Sequence, residues 1–580
     1  MGAFLLVRRG GGAEPDSRLR KLCRVFRDQG WREPTVLSAA GCDIRVFPKR
    51  SGGTVAAHAI DDANFCVATG TFIYRKRTGG DALAMLHRDM ARQSVAWDAL
   101  YGHFCVLAAH ANVLTVFVDR LGTYPVFHSA GNDVLSSRFL AVLGATASPA
   151  INRQCVYEYV FQGATYGDET VIDGIGRLDG ERALVFEGGA PARETEIAPA
   201  LTRPSTDGSF EERVERNVAN LRSYFAAIAA AYGDRIDTAL SGGYDSRLTL
   251  ALLREQGVMP RLHVYGSARD EDVVVARAIA GGEKFPLEHT DKSGAPPLDE
   301  QRFAEAVAHN HYMFDGTPPD GIIDDGADIR TRMERCPEGE LMLNGGGGEV
   351  FRNFFYLPDR SYSTRRFLWS FYNRFDPKLC TGLFDEDAYY GALGAKVRRA
   401  AGAAGDILTR DRIEFLYVAF RCRYWMGRNN GINNALGFAL TPFIDANIVP
   451  EANATPLRYK NSGRLEGAMI RCVSPSLAGY NSAYGHNFMG APPMRRVLKD
   501  MTTLLRPPEL RRYTYRLHRR SRDAWPYFLR PSYIAVMVGD AFPYMSRFFD
   551  VDSVADREQF VRICTLEYLF RRFQPATRDC

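Results

Sequence analysis

The run Ser241-Gly242-Gly243-Tyr244-Asp245-Ser246 combines the residue types that hold a phosphate through a metal ion. Two adjacent glycines let the backbone approach an anion closely, with its N–H groups turned inward. Ser241 and Ser246 add hydroxyl donors. Asp245 would repel a phosphate unless a cation stood between them, which makes it a natural Mg²⁺ ligand. The run follows a strand-like segment, 235–240, and precedes a helix-period one starting near Ser246, so a helix N-terminus adds positive potential. A plain strand–turn–helix corner is the alternative. By average residue usage, however, chance would produce the pattern in a chain of this length about once in a thousand. No G-x-x-x-x-G-K-[ST] loop occurs, and the glycines around Gly345 do not fit G-x-G-x-x-G.

The flanking sequence predicts what positions this loop. Ser209-Phe210-Glu211-Glu212 has capping-box spacing and opens a helix to about Tyr232. Strands at 235–240, 262–265 and near 285–289 alternate with helices at 246–255 and 272–280, the second closed by Gly281 and Gly282. Such alternation means βαβ units in a parallel sheet, whose ligands sit at the carboxyl ends of the strands. A further strand, 340–343, ends in the glycines 345–348 and supplies a second loop on that edge. From about Arg410 the pattern is mostly helical. The first 200 residues differ: short strand-like runs at 54–58, 65–69, 103–108, 114–118 and 183–186, with helices only at 17–29 and 82–98, give an α+β domain. Turn-rich 188–205 separates the two. The expected organisation is thus 1–200, 206–490, and a helical extension 491–580.

A chain of 580 residues needs at least two large cores. Its net charge of +5 is too mild to argue for a nucleic acid or membrane partner. Eleven scattered cysteines without CxxC fit neither zinc nor a disulfide framework. Ala3-Phe4-Leu5-Leu6-Val7 is too short for a signal peptide or a span and suits a first strand. Leu6 stands where myristoylation needs Ser or Thr, and a cytoplasmic location is the default. An arginine-rich stretch, 506–530, interleaves with Tyr513, Tyr515 and Trp525; solvated helical arginines outweigh an anion-binding surface there, since no recognition motif accompanies it.

The Ser241–Ser246 run resembles the PP-motif of N-type ATP pyrophosphatases, which hold the pyrophosphate of ATP and cleave at the α-phosphorus. Gly102-His103-Phe104, Asp119-Arg120-Leu121-Gly122-Thr123-Tyr124-Pro125-Val126-Phe127 and Ser136-Ser137 resemble the glutaminase domain of asparagine synthetases, with Gly174-Ile175 and Leu178 in the segment that follows. Pro442-Phe443-Ile444-Asp445 resembles the P-F-L-D element of their synthetase domain. The resemblance runs from residue 1 to about 490 in consistent order. It implies an Ntn-hydrolase-like sandwich followed by a PP-loop domain.

Working glutaminases of that family carry cysteine after the initiator methionine; here Gly2 stands there, and no cysteine precedes Cys23. The resemblance therefore implies lost glutamine hydrolysis, as in the β-lactam synthetases and lasso-peptide cyclases, whose substrates carry their own amine. The family's S-G-x-G-x-D-E-L-F loop aligns with Asn344-Gly345-Gly346-Gly347-Gly348-Glu349-Val350-Phe351. That alignment puts either Gly348 or, one residue over, Glu349 on the aspartate that binds a second Mg²⁺, and one carboxylate is missing in both registers. Glu349 is a candidate base or metal contact, or else a helix-start glutamate favoured by the dipole. The family's transition-state lysine maps to Lys460, with Arg458 and Arg464 as rivals. Arg352-Asn353 and Asp315-Gly316 are placed near the acceptor pocket, and Tyr484-Gly485-His486 is noted beside them. By the same resemblance Leu240 to Ser246, Asn344 and Gly345 cradle ATP, whose base and ribose lie against Val264-Tyr265-Gly266. A substrate carboxylate attacks the α-phosphorus, and a nitrogen nucleophile then displaces AMP. Three functions stay open: a synthetase or cyclase using a substrate amine, asparagine synthesis from ammonia, and a non-catalytic scaffold. Expected partners are ATP, Mg²⁺, a small-molecule or peptide carboxylate, and a second copy as homodimer, with neither nucleic acid nor membrane.

Overall fold

The computed structural model describes all residues except 10–14, 54–55, 62, 202–203, 292–295, 519 and 578–580. Its N-terminal part contains two antiparallel six-stranded sheets. Ala3–Arg8 lies inside the first, between Val134–Ser136 and Cys42–Phe47. Its apolar run is continuous because both faces are covered. Phe4 and Leu6 join Ile44, Phe65, Val67 and Leu107 between the sheets, whereas Ala3, Leu5 and Val7 belong to a cluster with Leu22, Phe26 and Phe139 from helices. Beyond the second sheet, Phe104 and Val106 cluster with Leu83 and Leu86 of helix Gly79–Ala91. The order is helix, sheet, sheet, helix.

Two N-terminal expectations need correction. The helix read across 82–98 ends at Ala91, where Gln93 turns into the left-handed region (φ 53°), and only a short 3₁₀ turn, Trp97–Ala99, follows. The strand expected at 54–58 is Ala57–Asp61; Thr54 and Val55 lie outside the described residues.

The second part is built on a parallel five-stranded sheet ordered Leu287–Thr290, Arg261–Tyr265, Ile236–Ala239, Leu341–Leu343, Phe438–Leu440. The capping box before it forms as read: Glu212 N–H donates to Ser209 Oγ (3.2 Å) and Ser209 N–H to Glu212 Oε2 (2.8 Å). Gly281 and Gly282 do not end their helix. Glu271–Glu283 runs through both and stops at Lys284 in the left-handed region (φ 59°); Gly282 stands where the Tyr480 ring leaves no room for a side chain. The edge strand Phe438–Leu440 was not expected; three residues carry no readable period.

Motif residues from both parts meet in one buried contact. Gly102 N–H donates to Asp445 Oδ2 (2.9 Å), and Thr441 N–H donates to His103 Nε2 (3.0 Å). Asp119 Oδ1 and Oδ2 accept from Thr123 N–H (2.9 Å) and Tyr124 N–H (2.8 Å). Burial, together with the nearby Asp119 charge, pushes the Asp445 carboxyl up to about 7. A raised carboxyl favours the folded state below its ordinary value near 4, and that contribution disappears as pH rises to 7. The same window contains the opposite slope of His103, which burial lowers to about 4. A difference measurement isolates the aspartate. The melting-temperature advantage of the native chain over Asp445→Asn should shrink from pH 4 to pH 7, equivalent to roughly 2–4 kcal/mol. A difference that stays constant with pH would exclude this role.

The C-terminal residues are not simply an outer extension. Helix Arg557–Phe573 buries Ile563, Leu566, Leu569 and Phe570 in the same cluster as Cys155 and Tyr159, and Arg562 Nε donates to Pro319 O (2.8 Å). In the arginine-rich stretch Arg506, Arg522 and Arg530 are exposed, whereas Arg511 is buried and Arg512, Arg516 and Arg520 are half-buried and paired. Arg511 donates to the carbonyls of Thr503, Arg506, Phe355 and Tyr356; Arg512 and Arg516 pair with Glu386; Arg520 pairs with Asp556. Among the described residues no helix is long and apolar enough to cross a membrane.

Candidate functional site

The central strand Ile236–Ala239 delivers buried Leu240, whose N–H donates to His263 O (2.8 Å), and then the 241–246 loop. Ser241 and Ser246 close it. Ser241 N–H donates to Ser246 Oγ (3.0 Å), the two hydroxyls lie 3.0 Å apart, and Gly243 N–H reaches Ser241 Oγ (3.3 Å). Gly242 N–H donates to Asp272 Oδ1 (2.9 Å) on the next helix. Gly242 O accepts from Ala483 N–H (3.1 Å), so the segment carrying Tyr484 and His486 covers the loop. Beneath it Tyr244 stacks on Phe488 at 4.2 Å. Helix Asp245–Glu255 starts at the metal candidate itself.

The neighbouring strand brings the second loop against the first. Asn344 Oδ1 accepts from Gly346 N–H (2.9 Å), and Gly345 sits where a Cβ would lie 3.3 Å from Ser246 Cα. At Gly348 a Cβ would stand 2.6 Å from Asp245 Cγ and 2.9 Å from Glu466 Oε1. The position that aligned with the family's second aspartate therefore has no room for a side chain. Its space is taken by the fully buried carboxylate of Glu466, from helix Arg464–Val473.

One guanidinium ties the cluster together. Arg352 Nη2 lies 2.8 Å from Asp245 Oδ1 and 3.3 Å from Glu349 Oε1, and its Nε lies 3.3 Å from Glu466 Oε2. Three carboxylates thus share one side-chain cation. Burial raises Asp245, partly offset by Arg352 and reinforced by Glu349. Burial, and next the Asp245 charge, holds Glu466 well above the usual carboxylate range. Burial alone would lower Arg352, but Asp245, Glu466 and Glu349 together hold it well above its ordinary value. Tyr417 donates its hydroxyl to Glu349 Oε2 (2.7 Å) from the start of a ten-residue π-helix, Tyr417–Met426. Local π-helical geometry often marks functional sites.

Other expected residues lie elsewhere. Lys460 is buried, donating to Glu414 Oε2 (2.9 Å), which Arg410 also pairs at 2.8 Å, and neither partner belongs to the loop cluster. Its rivals are exposed, Arg458 over the Tyr459 ring and Arg464 over Phe210. Asp315 is consumed by Arg138 and Arg428 and by the N–H groups of Phe139 and Leu140, at the junction with the N-terminal part. With Gly316 packed on Leu140, neither lines an acceptor pocket. Asn353 braces Leu357 O and Asn461. Val264, Tyr265 and Gly266 do end the adjacent strand: Gly266 N–H donates to Thr290 O (3.2 Å), and Arg335 covers Tyr265 at 4.0 Å.

In the N-terminal part, a Cβ on Gly2 would lie 2.7 Å from Pro48 O and 2.8 Å from the Trp31 ring, so a cysteine there would not fit. Cys42, Cys66 and Cys105 are buried, and burial pushes their thiols up, Cys42 to about 12. They are core residues, not nucleophiles. A cavity of about 320 Å³ bordered by Asp168, Glu169, Lys396, Arg399 and Arg423 contains none of the loop residues. Its charges pair with one another, Arg399 with Asp168 (2.9 Å) and Lys396 with Glu169 (2.5 Å).

Sequence reasoning missed Glu466, Tyr417 and Asp272. Glu466 left a signal: a lone acid among Leu465, Gly467, Ala468, Met469 and Ile470, all buried. A buried carboxylate demands a partner or an ion.

No protein-family model matches the chain, and no curated protein does. Among solved structures, the chain is similar to glutamine phosphoribosylpyrophosphate amidotransferase from B. subtilis complexed with ADP and GMP. That likeness has 11% identity, 52% of this chain and 70% of the other covered, and a TM-score of 0.24. A structure of the allosteric regulatory enzyme of purine biosynthesis matches at 11% identity, covering 59% and 74%, with a TM-score of 0.24. At such scores neither likeness bears on what this chain does.

Proposed function

We propose that the chain is an ATP-dependent carbon–nitrogen ligase that activates a substrate carboxylate as an acyl-adenylate, releasing pyrophosphate, and passes the acyl group to an amine. The observation that carries this proposal is the convergence of the Ser241–Ser246 loop, Asp245, Glu466 and Arg352 on one edge of a parallel sheet. That edge is where such sheets bind ligands.

Among the described residues no group of three or more His, Cys, Asp or Glu side chains is arranged to hold a metal. Mg²⁺ seldom needs one, since it is commonly held by one or two carboxylates plus the substrate's phosphates. Asp245 fits that part, and Glu466, which burial and the Asp245 charge hold well above the usual carboxylate range, would join it only on giving up its proton as the cation arrives. When bound, Mg²⁺ would screen the charge growing on the leaving pyrophosphate.

The chain's own residues do the rest. Ser241 and Ser246 turn their hydroxyls from each other to the phosphates, and Gly242 N–H exchanges the Asp272 carboxylate for a phosphate oxygen. Asp245 would hold the metal, and Arg352, now paired to it, would face the pyrophosphate, supplying the cation that Lys460, locked on Glu414, does not. Glu349, held by Tyr417, is placed to take a proton from the attacking amine. The amine comes from the substrate or from free ammonia, because Gly2 leaves no room for a glutamine-hydrolysing thiol. A substrate-borne amine and asparagine synthesis from ammonia therefore share this chemistry.

Product identity provides the test. With ATP, Mg²⁺ and a panel of amino and peptide carboxylates, the chain should form AMP and pyrophosphate and catalyse pyrophosphate–ATP exchange. ADP and phosphate as products would refute acyl-adenylation. No ATP binding by calorimetry would leave the scaffold alternative.

A further inference from the structure

Seven of the sixteen exposed large apolar side chains among the described residues fall within residues 494–517. Four of them, Met494, Leu498, Met501 and Leu505, are spaced four, three and four residues apart along helix Met494–Leu504 and its cap, which places them on one face. Leu510, Tyr513 and Leu517 repeat the pattern on helix Pro508–Leu517. Met494, Leu498, Leu505, Leu510 and Leu517 each expose more than half their surface.

The amphipathicity of the first helix is inverted relative to a core-packed one. It buries no residue fully, and the side it turns toward the protein carries Arg496, Val497, Asp500 and Thr503, all half-buried. The apolar stripe faces away.

What accompanies the stripe identifies its partner. Arg495, Lys499 and Arg506 are exposed beside it, and none has an acidic partner within ion-pair distance among the described residues. The only acids in the segment are neutralised, Asp500 by Arg496 (3.0 Å) and Glu509 by Arg366 (2.6 Å). The exposed surface therefore offers large apolar groups and uncompensated cations with no free carboxylate. A second copy docking through this face would set those cations against themselves. An anionic lipid surface satisfies both features, taking the apolar side chains below its headgroups and the cations among its phosphates.

We infer that residues 494–517 form an interfacial anchor that lays the protein on an anionic membrane without crossing it. This replaces the expectation of no membrane partner and is independent of the catalytic proposal.

Flotation of the full chain with phosphatidylglycerol–phosphatidylcholine vesicles, compared with phosphatidylcholine vesicles alone, tests it. The native chain should partition at least about tenfold more strongly to the anionic vesicles, with affinity falling as salt rises. Leu498→Glu with Leu505→Glu should abolish binding. Arg495→Glu with Lys499→Glu should remove the preference for anionic lipid. All four side chains are exposed, so unchanged circular dichroism and melting temperature would show that the variants fold. Absence of vesicle binding, or equal binding by native and variant chains, would overturn the proposal. So would sedimentation equilibrium showing a dimer that the leucine variants dissociate, because the stripe would then belong to a second copy.

Discussion

On the proposed chemistry, Asp245→Ala should lower AMP-forming turnover by about 10²–10³-fold while leaving the chain folded, because the carboxylate would act in metal placement rather than in packing. The opposing stability effects explain why it folds. The substitution removes an acidic group from the first turn of helix Asp245–Glu255, at a cost of about 0.3–1 kcal/mol. It also relieves the crowding of Asp245 with Glu349 and Glu466 around a single guanidinium. The two terms are of similar size and opposite sign, so the melting temperature should move little. The kinetic loss should fall mainly on Mg²⁺-dependent steps: nucleotide affinity measured without metal should rise, since the repelling carboxylate is gone, and the gain in affinity on adding Mg²⁺ should vanish. Undiminished pyrophosphate release by the alanine variant would remove the basis for metal placement at this residue.

The loop itself was legible because its chemistry is local. Glycines, hydroxyls and one aspartate between a strand and a helix lie within six residues, and the backbone geometry that makes them useful depends only on their neighbours. Four of the five parallel strands were readable for a similar reason, being apolar runs bounded by glycines and separated by helical periods. The electrostatic half of the site was not. Glu466 lies more than two hundred residues from Asp245, and nothing in the 345–348 glycine run says that a carboxylate from another helix fills the space beside Gly348. Lys460 failed for the converse reason: spacing from a distant element offered a lysine, and packing spent it on Glu414. Gly102 and Asp445 were noticed as separate signatures, yet their hydrogen bond to each other is a tertiary fact. Motifs report what neighbouring residues can do, whereas charge balance is settled by whichever helices arrive at the same place.

Arg352→Met should be the most damaging substitution to stability in the site, at roughly 3–5 kcal/mol, since it leaves buried Glu466 and half-buried Asp245 without their shared cation. The guanidinium stem is replaced by a side chain of similar length, so lost packing contributes little. The sign with pH follows from the acids left behind. Without Arg352 the folded values of Asp245 and Glu466 rise further above the unfolded ones, so the variant is least impaired at low pH, where both are protonated, and its deficit grows as pH rises. A double-mutant cycle with Glu466→Gln tests the cause. Removing the most deeply buried acid should return a substantial part of the loss in the Arg352→Met background and less in the native one, where Arg352 offsets part of its burial cost. Mg²⁺ provides an orthogonal readout. If the guanidinium occupies the place where a cation must stand, millimolar Mg²⁺ without nucleotide should raise the melting temperature of the Arg352→Met chain more than that of the native one. Additive effects of the two substitutions, together with equal Mg²⁺ responses, would show that Arg352 merely packs beside the loop and that the negative charge around Asp245 is balanced by something else.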